Sequence, residues 1–298
     1  MDALEQVAGW PVEHASVGFV ANGPNPPESV RTEVRRLGAY GATDRVYAWA
    51  SVTKPVTALA VLIAFEEGTL SLDEPAGPPG ATVRHLLSHA SGLGPEPGSP
   101  TVAPGVRRIY SNAGYLVLAE LVATRAGMPF TEYCGQAVLE PLGMSATGFD
   151  PDALSGAAAA GLSGTLDDLL ALGCELAAPT LVSAETHQAA VSVQYPGLGG
   201  VLPGFGRYEP CDWGLGVEIR GDKRPHWTGT TNSPETFGHF GRSGSFLWVD
   251  PQAALIGAGL GDRPFGPWAA QAWPRLADAA LAEYGGGVGR RATGESHV

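Results

Sequence analysis

The stretch Arg45–Gly68, RVYAWASVTKPVTALAVLIAFEEG, decides the fold. Val46, Ala48 and Ala50 alternate along it, a period of two that predicts a strand over Arg45 to Ala50. Ser51 closes that strand. Thr57 to Glu67 is then apolar over a helical length and is stopped by Gly68, so the chain runs strand, serine, helix. Within it Ala58 to Phe65 is the longest apolar run, eight residues. A membrane span needs about 20.

Working outward, the N-terminal side predicts a helix over Asp2 to Ala8 and an apolar strand over Ala15 to Ala21. The turn cluster Asn22-Gly-Pro-Asn-Pro-Pro follows, then a strand over Val30 to Gly38. On the C-terminal side Thr82 is placed to cap a helix through Val83, Leu86 and Leu87. Asn112 precedes a long helix from Ala113 to Ala126 that Gly127 ends, and Phe130 to Leu139 and Leu166 to Ala177 are further helices. Ser155-Gly-Ala-Ala-Ala-Ala-Gly is low-complexity and reads as a connector or weak helix without chemistry. Strands return over Trp213 to Ile219, Ser245 to Val249 and Ala254 to Leu260, the last two joined by a hairpin turning at Asp250-Pro251. A terminal helix runs from Pro267 to Tyr284. Strands at both ends enclosing helices imply an α+β fold: an antiparallel sheet flanked by helices, with an inserted helical subdomain. The expected division is a discontinuous sheet domain of residues 1–66 and 205–285, a helical subdomain of 67–204, and a flexible tail of 286–298.

Composition narrows the function. Hydrophobic residues make up 44 % of the 298 and charged residues 16 %, which excludes disorder and coiled coil. The 42 glycines and 25 prolines lack a collagen period and read as ordered turns. A net charge of −12 is the wrong sign for a nucleic-acid backbone or an anionic membrane, so neither is an expected partner. The N-terminus is acidic where a signal peptide would be basic, so the expected address is cytoplasmic. Cys134, Cys174 and Cys211 form no CxxC pair and read as buried thiols.

The chemistry concentrates in three places. In Ser51-Val-Thr-Lys54, residues i and i+3 share a helix face, which brings the lysine amine to the serine hydroxyl. A serine needs such a base, and the helix N-terminus favours both a developing oxyanion and a lysine with lowered pKa. In Tyr110-Ser111-Asn112 the tyrosine offers a phenolate base or a proton relay, and the asparagine amide can hold both a lysine and a substrate carbonyl. The bland alternative is Asn112 as helix cap and Tyr110 as packing. Gly238-His239-Phe240-Gly241-Arg242-Ser243-Gly244 leads into a strand, and its glycines let a substrate lie against the strand edge. A backbone N–H there, with that of Ser51, would form an oxyanion hole.

In this order the three motifs resemble the serine β-lactamase and penicillin-binding-protein superfamily, with S-x-x-K, Y-x-N and a K-T-G equivalent. The tyrosine and H-x-G versions resemble its class C β-lactamase and esterase branch. Glu66-Glu-Gly-Thr-Leu-Ser-Leu-Asp-Glu-Pro75, Val83-Arg-His-Leu-Leu-Ser-His-Ala-Ser-Gly-Leu93, Glu140-Pro-Leu-Gly-Met144 and Asp212-Trp-Gly-Leu-Gly216 are similar to further blocks in family order. The resemblance implies acyl transfer without cofactor or metal. Ser51 attacks an ester, amide or lactam carbonyl, Lys54 and Tyr110 manage its proton, and the N–H groups of Ser51 and Arg242 hold the oxyanion. Asn112, His239, Gly241 and Arg242 then contact substrate.

The chain departs from the family's lactam-handling pattern at His239, where the resemblance leads one to expect lysine, and at Phe240, where a hydroxyl residue is expected. Trp227-Thr-Gly229 is a rival third motif that also lacks the cation. A serine esterase or amidase is therefore the expected function. The alternatives are an acyltransferase, a weak β-lactamase or D-amino-acid peptidase, and a catalytically idle binding protein on the same fold. Trp213, Trp227, Phe237, Phe240 and Trp248 suggest an aromatic pocket, with core packing the commoner use of such residues. His85 and His89 lie at i, i+4, but Leu86 stands where a zinc-protease motif would place glutamate.

Overall fold

The computed structural model describes residues 2–21, 36–99, 101–151 and 156–285. The expected tail 286–298, the turn cluster at 22–27 and the first part of the strand expected over 30–38 lie outside those residues.

A 3₁₀ turn, Leu4–Gly9, precedes the strands β1 (Ala15–Ala21), β2 (Arg36–Tyr40) and β3 (Tyr47–Ala48). A second 3₁₀ turn, Ala50–Val52, runs into helix α1 (Thr53–Glu66), followed by α2 (Val83–Leu87), α3 (Asn112–Ala126) and α4 (Phe130–Cys134) with a π-helical turn, Gly135–Leu139. Next come β4 (Gly148–Phe149), α5 (Ala157–Ala160), β5 (Leu162–Gly164), α6 (Leu166–Ala177) and α7 (Ala184–Ala190). The chain closes with β6 (Gly200–Leu202), β7 (Gly206–Tyr208), β8 (Glu218–Ile219), β9 (Phe237–Gly241), β10 (Ser245–Asp250), β11 (Leu255–Gly261) and α8 (Pro267–Tyr284).

Among the described residues the main sheet is antiparallel in the order β2-β1-β11-β10-β9-β8, so both ends of the chain build it. One face carries α6, whose Gly173 lets the helix approach until a Cβ there would sit 2.7 Å from Ile256. The other carries α8 through Trp273, Leu276, Ala277 and Ala280. Phe246 pairs with Gly259 and Trp248 with Gly257 across β10 and β11, and both rings lie over those glycines, where any side chain would collide with them. Helix α1 is buried from Thr53 to Ala64, apolar almost all round, and forms the centre of the larger core cluster. No helix among the described residues is long and apolar enough to cross a membrane.

The expected strand over Trp213 to Ile219 shortens to Glu218–Ile219. Gly214 N–H donates to Val217 C=O in a tight turn, and Gly216 takes φ +93°, so the chain leaves the sheet there. Among the described residues the edge of β9 from His239 to Gly241 is consequently left unpaired on that side. The strand expected over Arg45 to Ala50 reduces to Tyr47–Ala48, which pairs with β5 in a separate small sheet. Ser111, and not Asn112, caps α3: its hydroxyl accepts from Gly114 N–H at 3.1 Å, which leaves the Asn112 amide free for other partners.

Candidate active site

Ser51 sits in the 3₁₀ turn between β3 and α1, directly after Ala50, which is held at φ +45°. A left-handed alanine costs free energy, and such strain persists where surrounding structure fixes it. Here Trp49 C=O accepts from Ser245 Oγ at 2.7 Å, tying the turn to β10. Gly241 lies against it, where a Cβ would collide with Trp49 O and Ser245 Oγ.

Lys54 emerges one turn later, fully buried. Its Nζ lies 3.4 Å from Ser51 Oγ, 2.8 Å from Asn112 Oδ1 and 2.8 Å from Ala159 O. Tyr110 and Tyr115 place their rings 4.7 and 5.4 Å from the same nitrogen. Burial pulls its pKa from 10.5 down to about 7, against the opposing pull of the Glu96 carboxylate. A neutral lysine amine has two N–H groups and one lone pair. Asn112 Oδ1 and Ala159 O can only accept, so they take the two N–H groups and turn the lone pair toward the Ser51 hydroxyl.

The Asn112 amide is oriented by its neighbours' chemistry. Lys54 requires the oxygen on its side, and the Glu96 carboxylate accepts from Asn112 Nδ2 at 2.7 Å on the other. Glu96 gets there because Pro95 C=O accepts from the N–H groups of Asn112 (2.8 Å) and Ala113 (3.3 Å), clamping its loop onto the first turn of α3.

Burial raises the Tyr110 phenol well above its ordinary value of 10, with Ser51 drawing it the other way. At rest it is therefore held as a phenol, which favours the proton relay of the two roles expected from the sequence. Its ring rests on His89, centroids 4.7 Å apart, with Trp213 at 5.9 Å and His239 at 5.9 Å completing an aromatic wall.

His239 is buried on β9. Its Nδ1–H donates to Phe240 C=O at 2.7 Å, and burial, with the Lys54 charge second, pushes its pKa down to about 3. It is a neutral ring whose buried Nε2 is an acceptor without a hydrogen-bond partner among the described residues. It cannot act as the cation or donor toward a carboxylate that its motif position suggests. The Arg242 side chain is exposed on the β9–β10 hairpin and makes no ion pair among the described residues.

Ser51, Lys54, Tyr110, Asn112, His239 and Gly241 thus converge, while the Arg242 side chain points to solvent. Of the aromatic residues singled out in the sequence, Trp213 borders the site. Trp227, Phe237 and Trp248 are core, and Phe240 packs against Phe205, Phe265 and Trp273. The rival Trp227-Thr-Gly motif lies in a buried network instead: Trp227 Nε1–H and His226 both bond Glu218, which also pairs with Lys223 at 2.7 Å. His85 bonds Thr82 and Tyr195, whereas His89 Nδ1 accepts from Ser111 N–H, so their rings serve separate loops. Two contributors escaped the sequence reading. Ala159 acts through a backbone carbonyl in the alanine-rich segment taken as inert, and that segment is docked by Thr57 Oγ1–H donating to Ala158 C=O at 2.7 Å. Glu96 carries no motif.

The β-lactamase family model matches residues 28–282. The chain belongs to that family. A β-lactamase from Mycobacterium bovis, known from its crystal structure, is 49 % identical, with a TM-score of 0.88 over 95 % of this chain and 99 % of that one. EstCE1, described as a hydrolase with promiscuous acyltransferase activity, is 18 % identical with a TM-score of 0.74 over 93 % of this chain and 96 % of its own, a likeness of fold alone. A Salmonella enteritidis protein named for D-alanyl-D-alanine carboxypeptidase activity is 27 % identical over 204 residues, 55 % of this chain and 47 % of its own length. The chain therefore spans about half the length of that curated relative. The family is one of serine hydrolases, and the Mycobacterium bovis and EstCE1 structures share this α+β fold.

Proposed function

We propose that the protein hydrolyses uncharged esters through an acyl-enzyme on Ser51. The observation that carries the reading is the buried Lys54 amine, with both N–H groups engaged by acceptors and its lone pair toward Ser51. As Ser51 Oγ attacks the substrate carbonyl, its proton passes to Lys54. The N–H groups of Ser51 and Arg242 receive the oxyanion at the unpaired end of β9. Tyr110, whose ring lies 4.7 Å from Lys54 Nζ, hands a proton to the departing alkoxide. Water then attacks the acyl carbonyl, gives its proton to the Tyr110–Lys54 pair, and releases the acid as Ser51 is reprotonated.

Esters are preferred over β-lactams and D-amino-acid peptides because those substrates bring a carboxylate. His239 is neutral and accepting, and Phe240 has no hydroxyl, so β9 offers that carboxylate neither charge nor side-chain donor. The lactam reading draws its support from the Mycobacterium bovis relative. The comparison of kcat/KM for p-nitrophenyl butyrate and nitrocefin decides between them. Ester turnover exceeding nitrocefin turnover by about 100-fold or more is expected, the equivalent of a lost charge-assisted contact. Nitrocefin turnover equal to or above that of the ester overturns the preference.

A further inference from the structure

Glu96 has no counterpart among the motifs, yet it is two hydrogen bonds from the reactive amine. Its Oε1 accepts from Asn112 Nδ2 at 2.7 Å, and Asn112 Oδ1 accepts from Lys54 Nζ at 2.8 Å. The carboxylate is exposed and belongs to no ion pair among the described residues. Its place is fixed by backbone: Pro95 C=O is held by two N–H groups of α3, and Glu96 N–H donates to Ser99 Oγ at 3.3 Å. A flexible surface glutamate would be averaged over many rotamers. This one is anchored at both its loop and its head.

We propose that Glu96 is a positioning and specificity-determining residue: its carboxylate orients Asn112 and sets an exposed negative charge two hydrogen bonds from Lys54, so that the site takes neutral and cationic acyl donors in preference to anionic ones. The proposal rests on Ser51 being the nucleophile of a hydrolase. It names the charge class that nucleophile serves. The histidines beside the reacting groups bring no opposing charge. His89 and His239 are held neutral by burial, and Lys54 is half-deprotonated near neutral pH. For a substrate charge about 10 Å from the carboxylate, at an effective dielectric between those of protein and water, the attraction or repulsion is worth about threefold in rate. Between a cationic and an anionic probe the contrast is then about tenfold, and salt shrinks it.

The test uses three fluorophosphonates alike except for a terminal trimethylammonium, hydroxyl or carboxylate. Second-order labelling rates are followed by intact-protein mass at about 20 mM and about 500 mM NaCl. Wild type is expected to label about tenfold faster with the cationic than with the anionic probe, with the ratio collapsing at high salt. Glu96→Gln, which can still accept from Asn112, is expected to bring the ratio within about twofold of unity. It should also label faster with the neutral probe than Glu96→Ala, because only the glutamine keeps the amide oriented. Labelling of wild type with a ratio near unity, or a ratio unaltered in Glu96→Gln, overturns the charge selection. Equal slowing of Glu96→Gln and Glu96→Ala with the neutral probe overturns the positioning role. Failure of every probe to label folded wild type refutes the nucleophile reading itself and this proposal with it.

Discussion

The Lys54 amine makes a quantitative prediction about pH. An ordinary lysine of pKa 10.5 is neutral in roughly one molecule in 3,000 at pH 7, whereas one at about 7 is neutral in about half. Burial therefore supplies about a 1,500-fold gain in the population able to take the Ser51 proton. Below pH 7 the neutral fraction falls tenfold per unit, so kcat/KM for an uncharged ester should rise with unit slope, reach half its plateau near pH 7, and stand near about 1 % of plateau at pH 5. Tyr110 and Tyr115 are pushed upward by burial, and His89 and His239 downward. The same depressed pKa has a stability consequence of definite sign. Between about pH 7 and 10.5 the unfolded chain binds the proton that the native lysine has lost, so this group makes the protein more stable as pH rises through that window. The assay is initial-rate hydrolysis of p-nitrophenyl butyrate from about pH 5 to about pH 9.5, with urea melts to confirm folding at each end. An acidic limb centred above about pH 9, or none at all, would refute the argument that burial activates Lys54.

Tyr110→Phe keeps the ring on His89 and over Lys54 but removes the relay hydroxyl, and kcat should fall by about 10²–10³ with the urea midpoint unchanged. Gly241→Ala forces Trp49 and Ser245 aside and displaces the Ser51 turn, so esterase activity should drop at least about tenfold in a protein whose circular dichroism is native. Glu218→Gln leaves Lys223 as an uncompensated buried cation and should cost about 3–5 kcal/mol in urea unfolding. Burial opposes ionisation of Glu218, but His226 and Lys223 outweigh it and hold the pKa at about 2. Its stabilisation is complete above the unfolded value of 4.5 and is lost as pH falls toward 2, so acid unfolding of wild type should steepen in that range.

The elements with strong local signatures were legible. Helix α6 runs from Leu166 to Ala177 and α8 from Pro267 to Tyr284, because apolar periodicity and a capping Thr165 or a leading Pro267 speak through side chains. Strands β10 and β11 carry the continuous apolar runs of buried sheet. The Trp213–Ile219 strand misled because alternation says nothing of the turn that Gly214 and Gly216 permit. Within the site, Ser51 and Lys54 are three residues apart and visible as a pair. Ala159 contributes a carbonyl that every residue possesses, and no pattern marks it. Glu96 reaches Asn112 only through the docking of Pro95 on α3, a tertiary event sixteen residues upstream of its partner. The His239 charge state was equally hidden, since it depends on burial and on the Phe240 carbonyl.

The reaction proposed above stands or falls with Ser51 as an activated nucleophile. Intact-protein mass spectrometry after incubation with a neutral fluorophosphonate, on wild type and Ser51→Ala, tests it most directly. A single adduct on wild type, its peptide mapping to Ser51, and none on the variant are expected. A folded wild type that takes no adduct, or an adduct that persists in Ser51→Ala, would contradict it.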